Sequence, residues 1–128
     1  MERLIWNSEY LIATHWQTQA GRALGLGVNE VAVSSSEPKE YILPIVSHEI
    51  SELWALNNSY LCPRIEQLAN KYRLNPHEVG GLESVLQCYL FGLDPYDFYL
   101  RYRNFDYVFM NYVVKKEGRC RTCPYWYV

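Results

Sequence analysis

Two dipeptides constrain this chain more than any other feature: Asn75-Pro76 and Asp94-Pro95. Each sets a capping side chain directly before a proline. Proline at the first helical position gives up no hydrogen bond, and the Asn or Asp before it accepts from the unpaired N–H groups of the first turn. Glu78, three residues after Asn75, completes a capping box. Helices therefore begin at 76 and at 95, and Gly92 and Gly118 stop them.

The second of these reads as one long rod. Phe98, Tyr102, Phe105, Phe109 and Tyr112 recur at alternating spacings of four and three, which puts them on one stripe. Asp97, Arg101, Asn104, Asn111 and Lys115 fall on a separate polar stripe. From Pro95 to Glu117 the helix would run about 34 Å. An earlier helix opens at Pro63, with Ile65, Leu68, Ala69 and Tyr72 on its inner face. Upstream the signals are mixed. Arg3-Leu4-Ile5-Trp6 is a strand. Tyr10 to Thr18 carries both helical and alternating spacing and stays open between helix and strand, up to the glycines at 21, 25 and 27. That Gly-rich turn has neither the G-x-x-x-x-G-K nor the G-x-G-x-x-G order of a phosphate cradle. Val31-Ala32-Val33 and Tyr41 to Val46 read as the two strands of a hairpin, with Pro44 marking an edge or bulged strand. Ser47 would cap a helix from His48 to about Asn57, with Ile50, Leu53, Trp54 and Leu56 turned inward.

The expected fold is thus α+β: a small N-terminal antiparallel sheet with one or two helices, then a C-terminal three-helix unit. With 128 residues, 49% of them hydrophobic, the chain forms one domain over 1–128. It divides into a mixed α/β region (1–58), a helical region (59–118) and a tail (119–128). The hydrophobic share excludes a disordered chain. No apolar run reaches 18 residues, so no membrane span is expected. No secretory leader is visible, so the expected location is cytoplasmic and reducing, with Cys62, Cys88, Cys120 and Cys123 as free thiols.

Three constellations could carry function. The first joins charge and rings. Residues 95–128 carry six Lys/Arg against three Asp/Glu and hold 11 of the 20 aromatic residues, on a body that is otherwise acidic. Arg101, Arg103, Arg119 and Arg121 suit phosphate, and Tyr99 and Asn104 suit a base. The leading expectation is a non-enzymatic binding protein for nucleic acid or a nucleotide. The same residue types suit a protein interface, as in an adaptor, an inhibitor of the kind viruses direct at host machinery, or a homo-oligomeric assembly subunit.

The second is the corner between the helices at 63 and 76. Ala69, Leu74, Val79 and Leu82 reproduce the apolar spacing of a helix-turn-helix. Arg73 stands where such a turn usually has glycine, and Asn75, His77, Glu78, Gly80 and Gly81 offer few long donors to bases.

The third is metal chemistry. Cys120 and Cys123 form a lone C-x-x-C, half of a structural zinc site; no cofactor is otherwise expected. His48 and Glu52 are four apart on a helix and could ligate one ion with Glu49 as base, an echo of the H-E-x-x-H helix with glutamate in place of the second histidine. That makes a metal-dependent hydrolase the enzymatic alternative. A third ligand cannot be assigned from sequence, although His15 and His77 exist.

Overall fold

The computed structural model describes residues 3–7, 13–15, 17–27, 30–103 and 105–118. Three strands come first: β1 (Arg3–Asn7), β2 (Ala13–His15) and β3 (Glu30–Ser34), with a short helix α1 (Gln19–Ala23) between β2 and β3. The sheet order is β1-β3-β2. β2 runs antiparallel to β3 with Thr14 opposite Ala32, and β1 joins β3 in parallel with Ile5 opposite Ala32. β3 is therefore central, and Val31 to Ser34 are all buried. A strand covered on both faces needs no polar alternation, which is why Val31-Ala32-Val33 is continuously apolar. The segment left open around residues 10–18 includes the strand β2.

Five helices follow: α2 (Ile42–Leu56), α3 (Pro63–Tyr72), α4 (Pro76–Leu90), α5 (Pro95–Tyr102) and α6 (Tyr107–Glu117). The organisation is α+β, sheet first and helices after. One expected strand is replaced. Lys39–Tyr41 is a single 3-10 turn and Ile42 opens α2, so Tyr41 to Val46 does not pair with Val31 to Val33. Ile42, Ile45, Val46, Ile50 and Leu53 have helical spacing, and Pro44 stands in the first turn, where its missing N–H has no intrahelical partner to lose. Ser47 lies within the helix and donates to the Leu43 carbonyl at 2.6 Å instead of capping. Ile50 and Leu53 are buried as expected, whereas Leu56 is exposed.

α4 is the central helix: every residue from Val79 to Cys88 is buried, including Glu83, Ser84 and Gln87. The capping box forms as expected, with Asn75 Oδ1 accepting from the Glu78 N–H at 2.8 Å and Glu78 Oε1 accepting from the Asn75 N–H at 3.0 Å. Gly80 and Gly81 let two neighbours approach. A Cβ on Gly80 would lie 2.8 Å from the His48 carbonyl oxygen on α2, and one on Gly81 would lie 2.6 Å from Phe105 Cβ. Ser84 Oγ donates to the Pro44 carbonyl at 3.0 Å. With Gly80 against His48 and Ser84 against Pro44, α2 and α4 run antiparallel. The helix-turn-helix corner is present, but its second helix is buried on all sides from Val79 to Cys88. Of the face that would read bases, Gly80 and Gly81 are spent on packing, while Asn75 and His77 stay exposed.

The expected single rod from 95 to 117 is two helices, so the helical region holds four and not three. Arg103 adopts the left-handed conformation (φ 49°), and its N–H closes α5 on the Tyr99 carbonyl. Asp106 Oδ1 then caps α6 by accepting from the Phe109 N–H at 3.0 Å. Phe98, Tyr102 and Phe105 remain buried, while Tyr112 is exposed. Cys62 is disulfide-bonded, which corrects the expectation of four free thiols. Cys88 is a buried free thiol whose pKa burial pushes up to about 12. Among the described residues no helix is long and apolar enough to cross a membrane.

Candidate metal centre

All three histidines of the chain converge on one carboxylate, that of Glu52. They come from three elements. His15 ends β2, His48 lies one turn before Glu52 on α2, and His77 is the second residue of α4. The antiparallel packing of α2 and α4 through Gly80 brings His77 over His48, with ring centroids 4.9 Å apart. His48 Nε2 stands 3.2 Å and His77 Nδ1 3.6 Å from Glu52 Oε2. His15 Nε2 stands 3.8 Å from Glu52 Oε1 and 4.0 Å from Glu49 Oε2.

Two groups of three offer ligand atoms mutually within 4.8 Å: His48, Glu52 and His77, and His15, Glu49 and Glu52. A tetrahedral ion with bonds of about 2.0–2.1 Å holds its ligand atoms about 3.3 Å apart. The separations from Glu52 Oε2 to His48 and His77 bracket that value. His15 and His48 are buried, Glu49 and Glu52 half-buried, and His77 exposed, so the cluster has a closed floor and an open rim. The rim opens on a cavity of about 320 Å³ lined by Ala13, Thr14, Thr18, Ile45, His48, Glu49, Glu52 and His77.

The two carboxyls are tuned in opposite directions. Burial pushes Glu52 up, but the three imidazoles around it outweigh burial and hold it well below the usual carboxylate range. Burial raises Glu49, neighbouring Glu52 adds to the rise, and His48 opposes it. One site thus contains a carboxyl held down by imidazoles beside one raised by burial.

Of the residues singled out by sequence for nucleic acid, only some lie in the described structure. Tyr99 is half-buried among Tyr96, Phe105 and Tyr107. The Arg101 guanidinium is 3.4 Å from Glu37, which also accepts from the Tyr102 hydroxyl at 2.6 Å. Arg103 is exposed at the break between α5 and α6. Asn104, Arg119 and Arg121 lie outside the described residues, as do Cys120 and Cys123. His48, Glu49 and Glu52 are brought together as their spacing implies. His15 and His77 complete the cluster, and the only sequence signal for them is that no other histidines exist. Comparison with models of known protein families, with curated proteins and with solved structures finds no match to this chain.

Proposed function

We propose that this protein is a metal-dependent hydrolase. Its centre is formed by His48, Glu52 and His77, with Glu49 as the general base. The observation that carries this reading is the convergence of every histidine in the chain on Glu52 at the wall of an open cavity. Two imidazoles and one carboxylate are the ligand set of hydrolytic zinc sites, which leave a fourth position for water. A bound divalent ion lowers the pKa of that water toward 7 and polarises a carbonyl or phosphoryl oxygen. Glu49 lies on the same helix as His48 and Glu52 and also lines the cavity, the place from which a general base would act.

The test is a Zn2+ titration of chelator-treated protein by calorimetry, together with hydrolysis of a panel of activated esters, peptides and phosphate esters. One ion per chain is expected, with Glu52→Gln and His77→Ala each weakening it at least about 100-fold. Glu49→Gln should keep the ion and lose about 10²–10⁴-fold in rate, the usual worth of a general base. Absence of stoichiometric binding sinks the reading. The same ligand trio serves non-haem iron(II) centres, so iron found by elemental analysis of freshly purified protein would replace hydrolysis with oxygen chemistry.

A second reading has its own observation. Leu90, Phe91, Tyr96, Leu100, Val108 and Tyr112 are large apolar side chains left exposed at the end of α4 and on α5 and α6. They support the adaptor or homodimer alternative for that end of the molecule. Light scattering across a concentration series, with Val108→Glu as the control, tests it. For the nucleic-acid reading, Arg101 is paired with Glu37 and Arg103 is exposed, while Asn104, Arg119 and Arg121 lie outside the described residues.

A further inference from the structure

We infer that His15 is the positioning residue of this centre and not one of its ligands, an assignment that rests on the metal reading above. The hydrogen bonds to its ring decide the matter. The Gln17 backbone N–H donates to His15 Nδ1 at 3.3 Å. A ring nitrogen that accepts cannot carry the proton, so in the neutral imidazole the proton sits on Nε2. A protonated Nε2 has no lone pair to give an ion.

That Nε2–H is buried, has no hydrogen-bond partner among the described residues, and faces the gap between Glu49 and Glu52. The two oxygens of Glu52 are thereby divided. Oε2 turns to His48 and His77, the proposed ligands, while Oε1 turns to His15. At 3.8 Å this donor is too far from Oε1 for a hydrogen bond, but its positive end faces that edge of the carboxylate and lowers the repulsion between two neighbouring acids; with an ion on Oε2 it would bias the orientation of the carboxylate. Such partners of metal ligands fix orientation and basicity.

The donor is itself held from behind. The His15 carbonyl accepts from the Thr18 N–H at 3.3 Å and from Thr18 Oγ1 at 3.0 Å. Gly21 packs its backbone so closely there that a Cβ would lie 1.8 Å from the same oxygen. The turn is tied to the end of α2 by paired Gln17 and Asn57 amides at 3.2 and 3.4 Å. His15, Gln17, Thr18 and Gly21 thus work as a bracket that presents one N–H to the metal site.

Two variants and one spectrum test the assignment. His15→Gln keeps an N–H donor at the end of the side chain, and His15→Leu does not. With Zn2+ as the probe, His15→Leu should bind one ion about 10–100-fold more weakly, and His15→Gln should recover to within a few-fold of wild type. Unchanged affinity in His15→Leu overturns the proposal. So does complete loss of stoichiometric binding matching that of His48→Ala, which would make His15 a ligand. Should His15→Leu fail to fold by circular dichroism, the wild type still decides. In 15N-histidine-labelled protein, His15 Nδ1 should show the pyridine-type shift and Nε2 the pyrrole-type shift, and the reverse overturns the assignment. The outcomes separate cleanly. A wild type that takes up no Zn2+ sinks the metal reading and this role with it, whereas a Zn2+-binding wild type with the proton on Nδ1 sinks only the role of His15.

Discussion

At the scale of single residues the centre depends on a glycine that touches no ion. Gly80 lets α4 approach the His48 carbonyl and ring, where an added Cβ would meet atoms at 2.8 and 3.0 Å. Alanine in a helix interior gains up to about 1 kcal/mol over glycine in propensity. Against this, overpacking costs about 1–3 kcal/mol when the neighbour cannot rotate aside, and here the nearest atom is backbone. Gly80→Ala should therefore destabilise by about 1–2 kcal/mol in urea unfolding and also weaken Zn2+ binding, because His48 and His77 are displaced together. Gly81→Ala meets Phe105 and Met110 instead, so it should destabilise comparably while leaving Zn2+ affinity unchanged. Much of this was hidden in the sequence. His48 and Glu52 are legible as a pair because helical spacing is local. His15 and His77 are not, because their approach is set by how β2 and α4 pack on α2. The Gly80-Gly81 pair reads as a weakness of α4 until both neighbours are in place.

At the scale of elements, the chain's own signals were most reliable where a helix starts. Asn75 and Asp94 cap α4 and α5 as their sequences say, since capping needs only the next three residues. The signals failed where a tertiary contact chose between two local options. Tyr41 to Val46 is β-prone, but Ile42 to Val46 serve α2, with Tyr41 closing the 3-10 turn before it. The stripe from Phe98 to Tyr112 fits a continuous helix, yet Arg103 leaves it in the left-handed region and Asp106 starts another. A non-glycine residue there costs about 1–2 kcal/mol, while glycine loses about 0.5–1 kcal/mol more backbone freedom on folding. Arg103→Gly should thus stabilise by about 0.5–1 kcal/mol, since among the described residues its side chain makes just one long bond, to the Leu100 carbonyl at 3.5 Å. Thermal unfolding should show a rise of about 2–5 °C. A fall would mean that the arginine side chain holds the break in place.

At the scale of the whole molecule, stability against pH is set by acids pulled in opposite directions. Glu117 at the end of α6 accepts from Lys71 Nζ at 2.6 Å, the Tyr72 hydroxyl at 2.6 Å and Arg64 at 3.2 Å, all on α3. Lys71 first, then Tyr72, hold its pKa at about 2. A depressed acid contributes stability that is complete above its unfolded value, about 4.5, and is lost as pH falls toward 2. Glu117→Gln should flatten the acid limb of the unfolding curve in that window.

Glu83 has the reverse sign. It lies inside α4, 2% exposed, with Oε1 accepting from Gln87 Nε2 at 3.0 Å and Oε2 without a partner. Burial raises its pKa, and the Gln87 bond only partly offsets that. A raised acid favours the fold when protonated, below its unfolded value, and the benefit disappears as pH climbs through the folded value. Glu83→Gln imitates the protonated form in shape and removes the charge. It should be more stable than wild type at pH 8 and no more stable at pH 4, as read from urea midpoints at the two pH values. Equal midpoints at pH 8 would mean that the Glu83 carboxyl keeps its charge in the fold at no cost, against the raised pKa that its burial implies. The two variants should therefore act on opposite limbs of the stability curve, Glu117→Gln on the acid limb through the clamp between α3 and α6 and Glu83→Gln on the alkaline limb through the acid enclosed in the central helix.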